Sequence, residues 1–281
     1  MNALDSWAIG SLNQFAGFSE LLNRVLYSFQ SSTLLTWVPV ISLLWWAWFR
    51  SDGRQAGNRK VVVAVIMACV FVVAVFVIQR ESKLLFRPRP VSDLQSSFCA
   101  PWGVELPSLD SYFRESGSFP SGHGAILAVI TAGLLYVSRP VGVLCGAYSL
   151  VICLMRMFFG YHYFTDMIAG IVLGIAMFAL ANGRLAEKMV ARRVLRWWTL
   201  YPSLFCAVLF IITFEIAEGF TESARFAHVL FHHISVTESR SPGNSVKLVK
   251  ARSGQQYSVE FDNVRPLMLT GAAPGNIHLP R

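Results

Sequence analysis

The chain has 281 residues, of which 54% are hydrophobic and only 14% are charged, and its formal net charge is +8. This composition is too apolar for a soluble globular domain of that size, so it predicts an integral membrane protein. The cations are spread over several segments rather than gathered on one soluble basic face, and no nucleic-acid partner is expected.

Residues 1–32 mix polar residues with apolar ones at near-helical spacing. The apolar set is Trp7, Ile9, Leu12, Phe15, Phe18, Leu21, Leu22, Val25 and Leu26. The segment lacks the basic start and the unbroken apolar core of a cleavable signal. It therefore predicts an amphipathic helix that lies at the membrane interface and stays on the mature protein.

Six later runs are apolar enough to cross a bilayer. They cover about Thr33–Phe49, Val61–Ile78, His123–Val137, Val141–Phe159, Phe164–Ala181 and Thr199–Ile216. The predicted fold is thus an all-α integral membrane protein of about six transmembrane helices. Its transmembrane domain spans residues 33–217, and a small polar tail follows at 218–281.

Orientation follows from the Lys and Arg content of the short loops. Residues 50–60 and 184–196 are basic and are predicted to be cytoplasmic, with the Arg139-Pro140 turn on the same side. Parity then places residues 1–32, 79–122, 159–163 and the tail on the outer side.

The cysteines fit this topology. Four of them, Cys69, Cys145, Cys153 and Cys206, fall inside predicted spans. Cys99 lies alone in the outer loop, so neither a disulfide framework nor a zinc pattern is available, and the four are read as packing residues. Gly170 and Gly174 likewise predict a close-packed helix face.

A first cluster of polar residues follows the second span, from Arg80 to Pro90, with the sequence Arg-Glu-Ser-Lys-Leu-Leu-Phe-Arg-Pro-Arg-Pro. Its prolines force an extended exit that can turn Arg87 or Arg89 back over the membrane surface. The plainer alternative for each cation is anchoring to lipid headgroups.

A second cluster, Ser118-Phe-Pro-Ser-Gly-His123, opens the third span. The first N–H groups of a helix have no partner within it and attract anions. Ser121 adds a hydroxyl, although a simple N-cap would also explain it. His123 adds a titratable proton.

A third cluster lies between the fourth and fifth spans, where Met155 to Asp166 contains Arg156, His162 and Asp166. If a helix starts near Tyr163, Asp166 lies one turn from His162 and can accept its imidazole N–H, which leaves the other nitrogen as a nucleophile or base. Arg156 offers a fork of donors suited to phosphate. A structural Arg156–Asp166 ion pair is the alternative.

All three clusters are predicted on the same membrane face. A pocket with several cations, a helix N-terminus and two histidines suits phosphoryl chemistry on a lipid headgroup.

The clusters resemble the three-part signature of the type 2 phosphatidic acid phosphatase and vanadium haloperoxidase superfamily: Lys-x6-Arg-Pro, Pro-Ser-Gly-His and Ser-Arg-x5-His-x3-Asp. The second motif fits in full at Pro120 to His123. In the third, Met155 replaces the usual Ser. The first is out of register: Lys83 to Arg89-Pro90 is one residue short, whereas Arg80 to Arg87-Pro88 has the full spacing with Arg for Lys. We favour Lys83 and Arg89.

The resemblance implies a membrane lipid phosphatase. His162 would form a phosphohistidine, Asp166 would hold its tautomer, and His123 would act as acid and then base. The phosphate-binding set would be Lys83, Arg89, Ser121, Gly122 and Arg156, with Arg87 as the substitute. No cofactor and no metal are expected, so activity should survive chelators.

The substrate would be a phospholipid or polyprenyl phosphate at the outer, periplasmic face of a bacterial inner membrane. Candidates are undecaprenyl diphosphate, phosphatidylglycerol phosphate, phosphatidic acid and lipid A phosphate. Selectivity would lie in residues 91–118 and in the lateral opening between spans. Apolar side chains there either cap the site or, as we favour, pack on the membrane: Phe98, Trp102, Leu106, Tyr112 and Phe113.

Several rival functions stay open. A lipid phosphotransferase would pass the phosphoryl group to an acceptor lipid, and a vanadate-dependent haloperoxidase would oxidise halide. A transporter is disfavoured because the ionisable residues lie near span ends rather than at the midplane. A non-catalytic binding protein is disfavoured by the two histidines and Asp166.

The tail carries His232-His233, for which an exposed structural role is favoured over metal binding. Residues Ser245–Phe261 alternate like a short hairpin about Ser253-Gly254. The oligomeric state is left open.

Overall fold

The computed structural model describes residues 2–82, 85–106, 117–218, 247–250 and 257–260, with the backbone alone for residues 80–82 and for the last two ranges. The chain divides into two compact units, residues 1–222 and 223–281. The first unit is helical. The second contains two short strands, β1 (Lys247–Lys250) and β2 (Tyr257–Glu260), which pair antiparallel with Lys247 opposite Glu260.

The helices of the first unit are α1 (Ala3–Ala16), α2 (Glu20–Ser31), α3 (Thr33–Thr36), α4 (Val38–Phe49), α5 (Gln55–Ser82), α6 (Gly122–Val137), α7 (Arg139–Phe158), α8 (Phe164–Ala181), α9 (Arg184–Ala186), α10 (Arg192–Leu200) and α11 (Pro202–Ala217). A 3-10 turn covers Pro90–Ser92, and a π-helical turn covers Glu187–Ala191. The predicted all-α membrane fold is confirmed for this unit.

Helix α6 lies at the centre of the bundle, where it packs against α5, α7 and α8. Its contact with α8 is close because a Cβ at Gly170 would overlap the carbonyl oxygen of Ser121, and one at Gly174 would overlap that of Ala125. The predicted close-packed glycine face is therefore confirmed. It brings the start of α6 and the start of α8 to the same point in space.

Among the described residues, three helices are long and apolar enough to cross a membrane: α5 over Gln55–Gln79, α7 and α8. Helices α4, α6 and α11 are also apolar but have only 12 or 16 residues. The predicted first span is interrupted at Trp37, because Pro39 lacks the N–H needed to continue α3 into α4. All six predicted runs form helices, and the count of six spans stays a prediction.

The predicted single helix over residues 1–32 is wrong in one respect: it is two helices, α1 and α2. Gly17 ends the first, and Ser19 caps the second by accepting a hydrogen bond from the Leu22 N–H at 3.3 Å. Both helices bury polar residues, including Asp5 and Asn23, and turn large apolar side chains outward, as at Trp7 and Phe18. This inverted pattern suits helices that face lipid.

Three basic segments meet at the end of the bundle opposite the second and third clusters. Lys60 pairs with Glu187 at 2.7 Å, and Arg50 donates to the carbonyl of Val137 at 3.4 Å. Arg59 stacks on the indole ring of Trp198, 4.9 Å from its centre. The loops predicted to share the cytoplasmic face do lie together.

The cysteines follow the predicted pattern, with one difference. Cys69, Cys145 and Cys153 are buried and Cys99 is exposed, but Cys206 is only half-buried. In the tail, β1 and β2 confirm the predicted hairpin pairing, while Ser253-Gly254 and His232-His233 fall outside the described residues.

Candidate active site

A tight turn between α7 and α8 carries His162. Gly160 adopts φ 70°, where a side chain would be strained, and a Cβ there would collide with the ring of Phe98. Helix α8 then begins at Phe164 with Tyr163 as its N-cap, and the Tyr163 N–H donates to Asp166 Oδ2 at 2.8 Å. The turn is thus locked at both ends, which fixes the backbone of His162.

His162 does not pair with Asp166, and that prediction is wrong. The helix starts two residues after His162, so the one-turn spacing does not place both side chains on one face. His162 Nδ1 lies instead 2.8 Å from the carbonyl oxygen of Ser118. A carbonyl can only accept, so Nδ1 carries the proton and the neutral ring presents Nε2 as its lone pair.

Asp166 is fully buried, and other donors occupy its carboxylate. Oδ1 accepts from Arg87 Nη1 at 2.7 Å, while Oδ2 accepts from the Tyr163 N–H. The predicted alternative of an Arg156–Asp166 ion pair is also wrong, because the arginine partner is Arg87. Asp166 therefore caps α8 and, through Arg87, holds the first cluster in place.

Ser121 is the N-cap of α6, as its plainer interpretation predicted. Its Oγ accepts from the Gly124 N–H at 3.2 Å, and its own N–H donates to the Asp166 carbonyl at 3.0 Å. No acceptor for its hydroxyl proton lies among the described residues. Within the described part of the chain, the N–H groups of Gly122 and His123 have no protein acceptor. The α6 terminus thus has the unpaired N–H groups that suit an anion, and it lies directly against α8.

His123 lies beside His162 and the ring of Trp37, whose centre is 5.2 Å from the imidazole centre. It is within electrostatic range of Arg156, His162 and Arg89. The two histidines that the sequence separates by 39 positions are therefore brought within electrostatic range of each other, and we call the space beside them the histidine pocket.

Arg89 and Arg156 supply the positive charge of this pocket. Arg89 Nη1 donates to the Tyr161 carbonyl at 3.0 Å, and Arg89 lies within electrostatic range of Arg156 and of both histidines. Arg156 lies over the Tyr161 ring, 5.8 Å from its centre, and its buried Nε has no hydrogen-bond partner among the described residues. Both guanidinium groups are half-buried, so they carry positive charge into the space beside the two histidines.

The two candidate arginines of the first cluster have different surroundings. Arg89 faces the histidine pocket, whereas Arg87 is enclosed by Asp166, Asp5 and the ring of Tyr163. This placement favours Arg89 as the phosphate ligand. Lys83 lies outside the described residues, as does the side chain of Arg80.

Known proteins resemble the segment that contains this pocket. A sequence model described as the PAP2 superfamily matches residues 61–189, which include all three clusters. The matched segment is a PAP2 superfamily domain. The match supports an enzyme that acts on a phosphate ester.

Among solved structures, a transmembrane PAP2-type phosphatidylglycerolphosphate phosphatase from Bacillus subtilis aligns with 67% of this chain and 89% of its own, at 21% identity and a TM-score of 0.42. No curated protein matches the chain.

Electrostatics keep the PAP2-domain histidine His162 neutral. Burial lowers its pKa well below the usual histidine value, and the positive charges of Arg89 and Arg156 lower the pKa further. The hydrogen bond to Ser118 opposes these effects without reversing them. The imidazole thus retains the free lone pair of Nε2 at neutral pH.

Sequence reasoning missed three residues of this site: Asp5, Ser118 as a carbonyl acceptor, and Thr165. Asp5 bonds to both Arg87 and Thr165 although it lies 160 positions from Thr165. One signal was present, since Asp5 is the only charged residue before Glu20. A backbone acceptor such as the Ser118 carbonyl cannot be identified from the sequence, because every residue has a backbone carbonyl.

Of the loop residues predicted to cap the site or to pack, Phe98 packs against Gly160, and Trp102 is largely exposed. Leu106 is half-buried, while Tyr112 and Phe113 fall outside the described residues.

Proposed function

We propose that this protein is a membrane lipid phosphatase that hydrolyses a phosphate monoester or diphosphate headgroup through a phosphohistidine at His162. One observation supports this most directly. Two half-buried guanidinium groups, Arg89 and Arg156, lie beside His162. Its Nδ1 is bonded to the Ser118 carbonyl, so Nε2 is the nucleophilic nitrogen.

In the first step, the lone pair of His162 Nε2 attacks phosphorus. The new N–P bond forms as the P–O bond to the lipid breaks, and the departing oxygen takes a proton from His123. Arg89, Arg156, the Gly122 N–H and the Ser121 hydroxyl would bind the phosphoryl oxygens, together with Lys83. The negative charge of the substrate favours the protonated form of His123 that this step needs.

In the second step, water attacks the phosphorus of the phosphohistidine. His123, now neutral, takes a proton from that water, and the N–P electron pair returns to His162 Nε2 as phosphate forms. The role of Asp166 differs from the one the resemblance implied. Through Tyr163 and Arg87 it holds the elements that carry His162, without touching the imidazole.

The surroundings of the pocket favour a lipid substrate over a soluble phosphate ester. Helices α1 and α2 pack near the α7–α8 turn and expose large apolar side chains, with Phe18 80% and Leu21 74% exposed. Such a surface is stable in contact with acyl chains. We place the pocket on the outer face of a bacterial inner membrane, because the basic loops lie at the opposite end of the bundle.

The test is phosphate release by detergent-purified protein in excess EDTA. The substrates are undecaprenyl diphosphate, phosphatidylglycerol phosphate, phosphatidic acid and lipid A, and His162→Ala is the paired variant. We expect release from at least one lipid, loss of at least about 1,000-fold in the variant, and an unchanged melting temperature.

Release that persists in His162→Ala would remove this histidine as the nucleophile. If no lipid releases phosphate, but added acceptor lipids become phosphorylated, the protein is a phosphotransferase that uses the same site.

A further inference from the structure

A buried carboxylate from the N-terminal helix reaches the active-site segments. Asp5 in α1 is 0% exposed, and its Oδ2 pairs with Arg87 Nη2 at 2.6 Å. Oδ1 accepts from the Thr165 N–H at 2.9 Å, and Oδ2 accepts from the Thr165 hydroxyl at 2.9 Å. Asp5 thereby satisfies an N–H in the first turn of α8 from outside that helix.

Arg87 is the centre of this network. Its Nη1 donates to Asp166 and to the Thr165 hydroxyl, at 2.7 and 2.9 Å, so its guanidinium joins two buried carboxylates. The ring of Tyr163 lies against it, with the centre 3.7 Å from Cζ. Every hydrogen bond described for this side chain is internal, which separates Arg87 from the ligand-facing Arg89.

The backbone beside Arg87 continues the connection to the nucleophile. The carbonyl of Arg87 accepts from the Ser118 N–H at 2.7 Å, and the carbonyl of Pro88 accepts from the Ser118 hydroxyl at 3.2 Å. The carbonyl of Ser118 then fixes His162 Nδ1. Hydrogen bonds, joined by the covalent structure of Arg87 and Ser118, thus connect Asp5 to the imidazole.

Charge makes the network depend on Asp5. Burial acts to raise the pKa of Asp5, but hydrogen bonds from Arg87 and Thr165 outweigh it, and its pKa lies below the ordinary value. Asp5 is therefore ionised at neutral pH. Without the Asp5 charge, Arg87 would keep Asp166 but lose the carboxylate that holds its Nη2, so the guanidinium would be free to move.

We propose that Asp5 is a positioning residue of the active site, which acts through Arg87 and the first turn of α8 to fix the orientation of His162. This inference rests on the proposed function of His162. It makes α1 part of the catalytic unit, although α1 lies outside the matched residues 61–189. Asp5 itself contacts no reacting atom.

The kinetic test compares Asp5→Asn with Asp52→Asn. Asp52 also pairs with an arginine, Arg50 at 2.8 Å, and also bonds near a helix start, but it does so at the opposite end of the bundle. We expect Asp5→Asn to lower kcat about 10- to 100-fold with KM changed less than about threefold, because the nucleophile is misplaced while Arg89 and Arg156 still bind the headgroup. Asp52→Asn should match the wild type.

A double-mutant cycle tests the route through Arg87. If Asp5 acts through Arg87, the Asp5→Asn/Arg87→Gln variant should be no slower than Arg87→Gln alone. Additive losses, or a raised KM with unchanged kcat, would overturn the proposal. Thr165→Val, which removes one hydroxyl of the network, should give a smaller loss in kcat and serves if Asp5→Asn folds poorly.

A spectroscopic readout separates this proposal from the proposed function. In full-length protein with 15N-labelled histidine, the His162 signal is assigned from its loss in His162→Gln. The wild type should show one tautomer, protonated at Nδ1, and Asp5→Asn should show a mixture. A single Nδ1-protonated tautomer in both proteins would refute the role of Asp5, even if no tested lipid proved to be a substrate. Inactivity of the wild type with the expected tautomer change would instead count against the proposed function alone.

Discussion

The two ring nitrogens of His162 have different surroundings, and this difference defines the chemistry of the pocket. Nδ1 is held by the Ser118 carbonyl, while Arg89 and Arg156 help to keep the ring neutral. The same two cations suit the binding of a phosphoryl group. In the proposed mechanism, this pair of side chains stabilises both the reactive form of the nucleophile and the negative charge of its substrate.

The pH at which kcat/KM falls on the acidic side should depend on the positive charge of Arg89. Because burial, Arg89 and Arg156 hold the pKa of His162 below its usual range, His162 stays neutral as the pH falls through about 6.5. Arg89→Gln removes one positive charge, so the pKa of His162 rises. The fall in kcat/KM at acidic pH should then begin at a higher pH than in the wild type.

Arg89→Lys keeps the positive charge and is the matched control. In this variant, kcat/KM should begin to fall at the same acidic pH as in the wild type. Because all three proteins are measured with one substrate, the ionisation of that substrate affects their profiles equally. An acid limb at the same pH in Arg89→Gln and wild type would contradict the electrostatic role of Arg89, whatever the loss in absolute rate.

Sequence spacing predicted which residues meet at the site better than it predicted how they bond. His123, Arg89, Arg156 and His162 do lie within electrostatic range of one another. The expected His162–Asp166 bond failed because the one-turn rule applies only when both residues lie within the helix, and His162 precedes the N-cap. Asp5 was missed because its partners are 82 and 160 positions away.

At the scale of elements, the contact between α6 and α8 determines whether the second and third clusters meet. Gly170 lies against the Ser121 carbonyl, and the Ser121 N–H donates to the Asp166 carbonyl at 3.0 Å. The spacing of Gly170 and Gly174 was readable from the sequence. The division of residues 1–32 into α1 and α2 was missed, since a local Gly17 stop and Ser19 cap interrupted a continuous apolar pattern.

Gly170→Ala should therefore impair both stability and activity. The added Cβ would overlap the backbone of Ser121, which cannot rotate away as a flexible side chain would. We expect a loss of about 1–3 kcal/mol in the free energy of unfolding and a reduced kcat, because the start of α6 is displaced from His162.

Gly57→Ala is the control for that variant, since Gly57 also lies in a helix but has no atom within 4 Å of an added Cβ. It should be neutral or slightly stabilising, since alanine favours a helix more than glycine does. Thermal unfolding and phosphate release measured on both variants give the comparison. Equal behaviour of the two would show that the close contact at Gly170 is unimportant.

For the whole molecule, the structure separates a basic end from a histidine-bearing end. The basic end contains the Lys60–Glu187 pair and Arg50, while His123 and His162 lie at the other. The sequence predicted this separation from loop charge alone. It did not predict that α1 would supply a buried carboxylate to the site, because amphipathic periodicity indicates a surface and not a specific partner.

Cys99 provides a natural reporter of orientation, because it is exposed in the loop that α1 holds through Asn13. In intact bacterial spheroplasts, a membrane-impermeant maleimide should label the wild type and leave Cys99→Ser unlabelled. An Arg54→Cys substitution in the Cys99→Ser background should be labelled only after permeabilisation. The reverse pattern would place the pocket on the cytoplasmic side.

The most direct measurement of the central claim is capture of the covalent intermediate. Protein mixed with 32P-labelled lipid substrate is quenched in alkali, which preserves phosphohistidine, and the labelled residue is located by peptide mapping. The account predicts label on His162 in the wild type and none in His162→Ala, with Asp52→Asn labelled as in the wild type. Label on His123, or phosphate release at the wild-type rate with no labelled histidine, would contradict nucleophilic attack by His162.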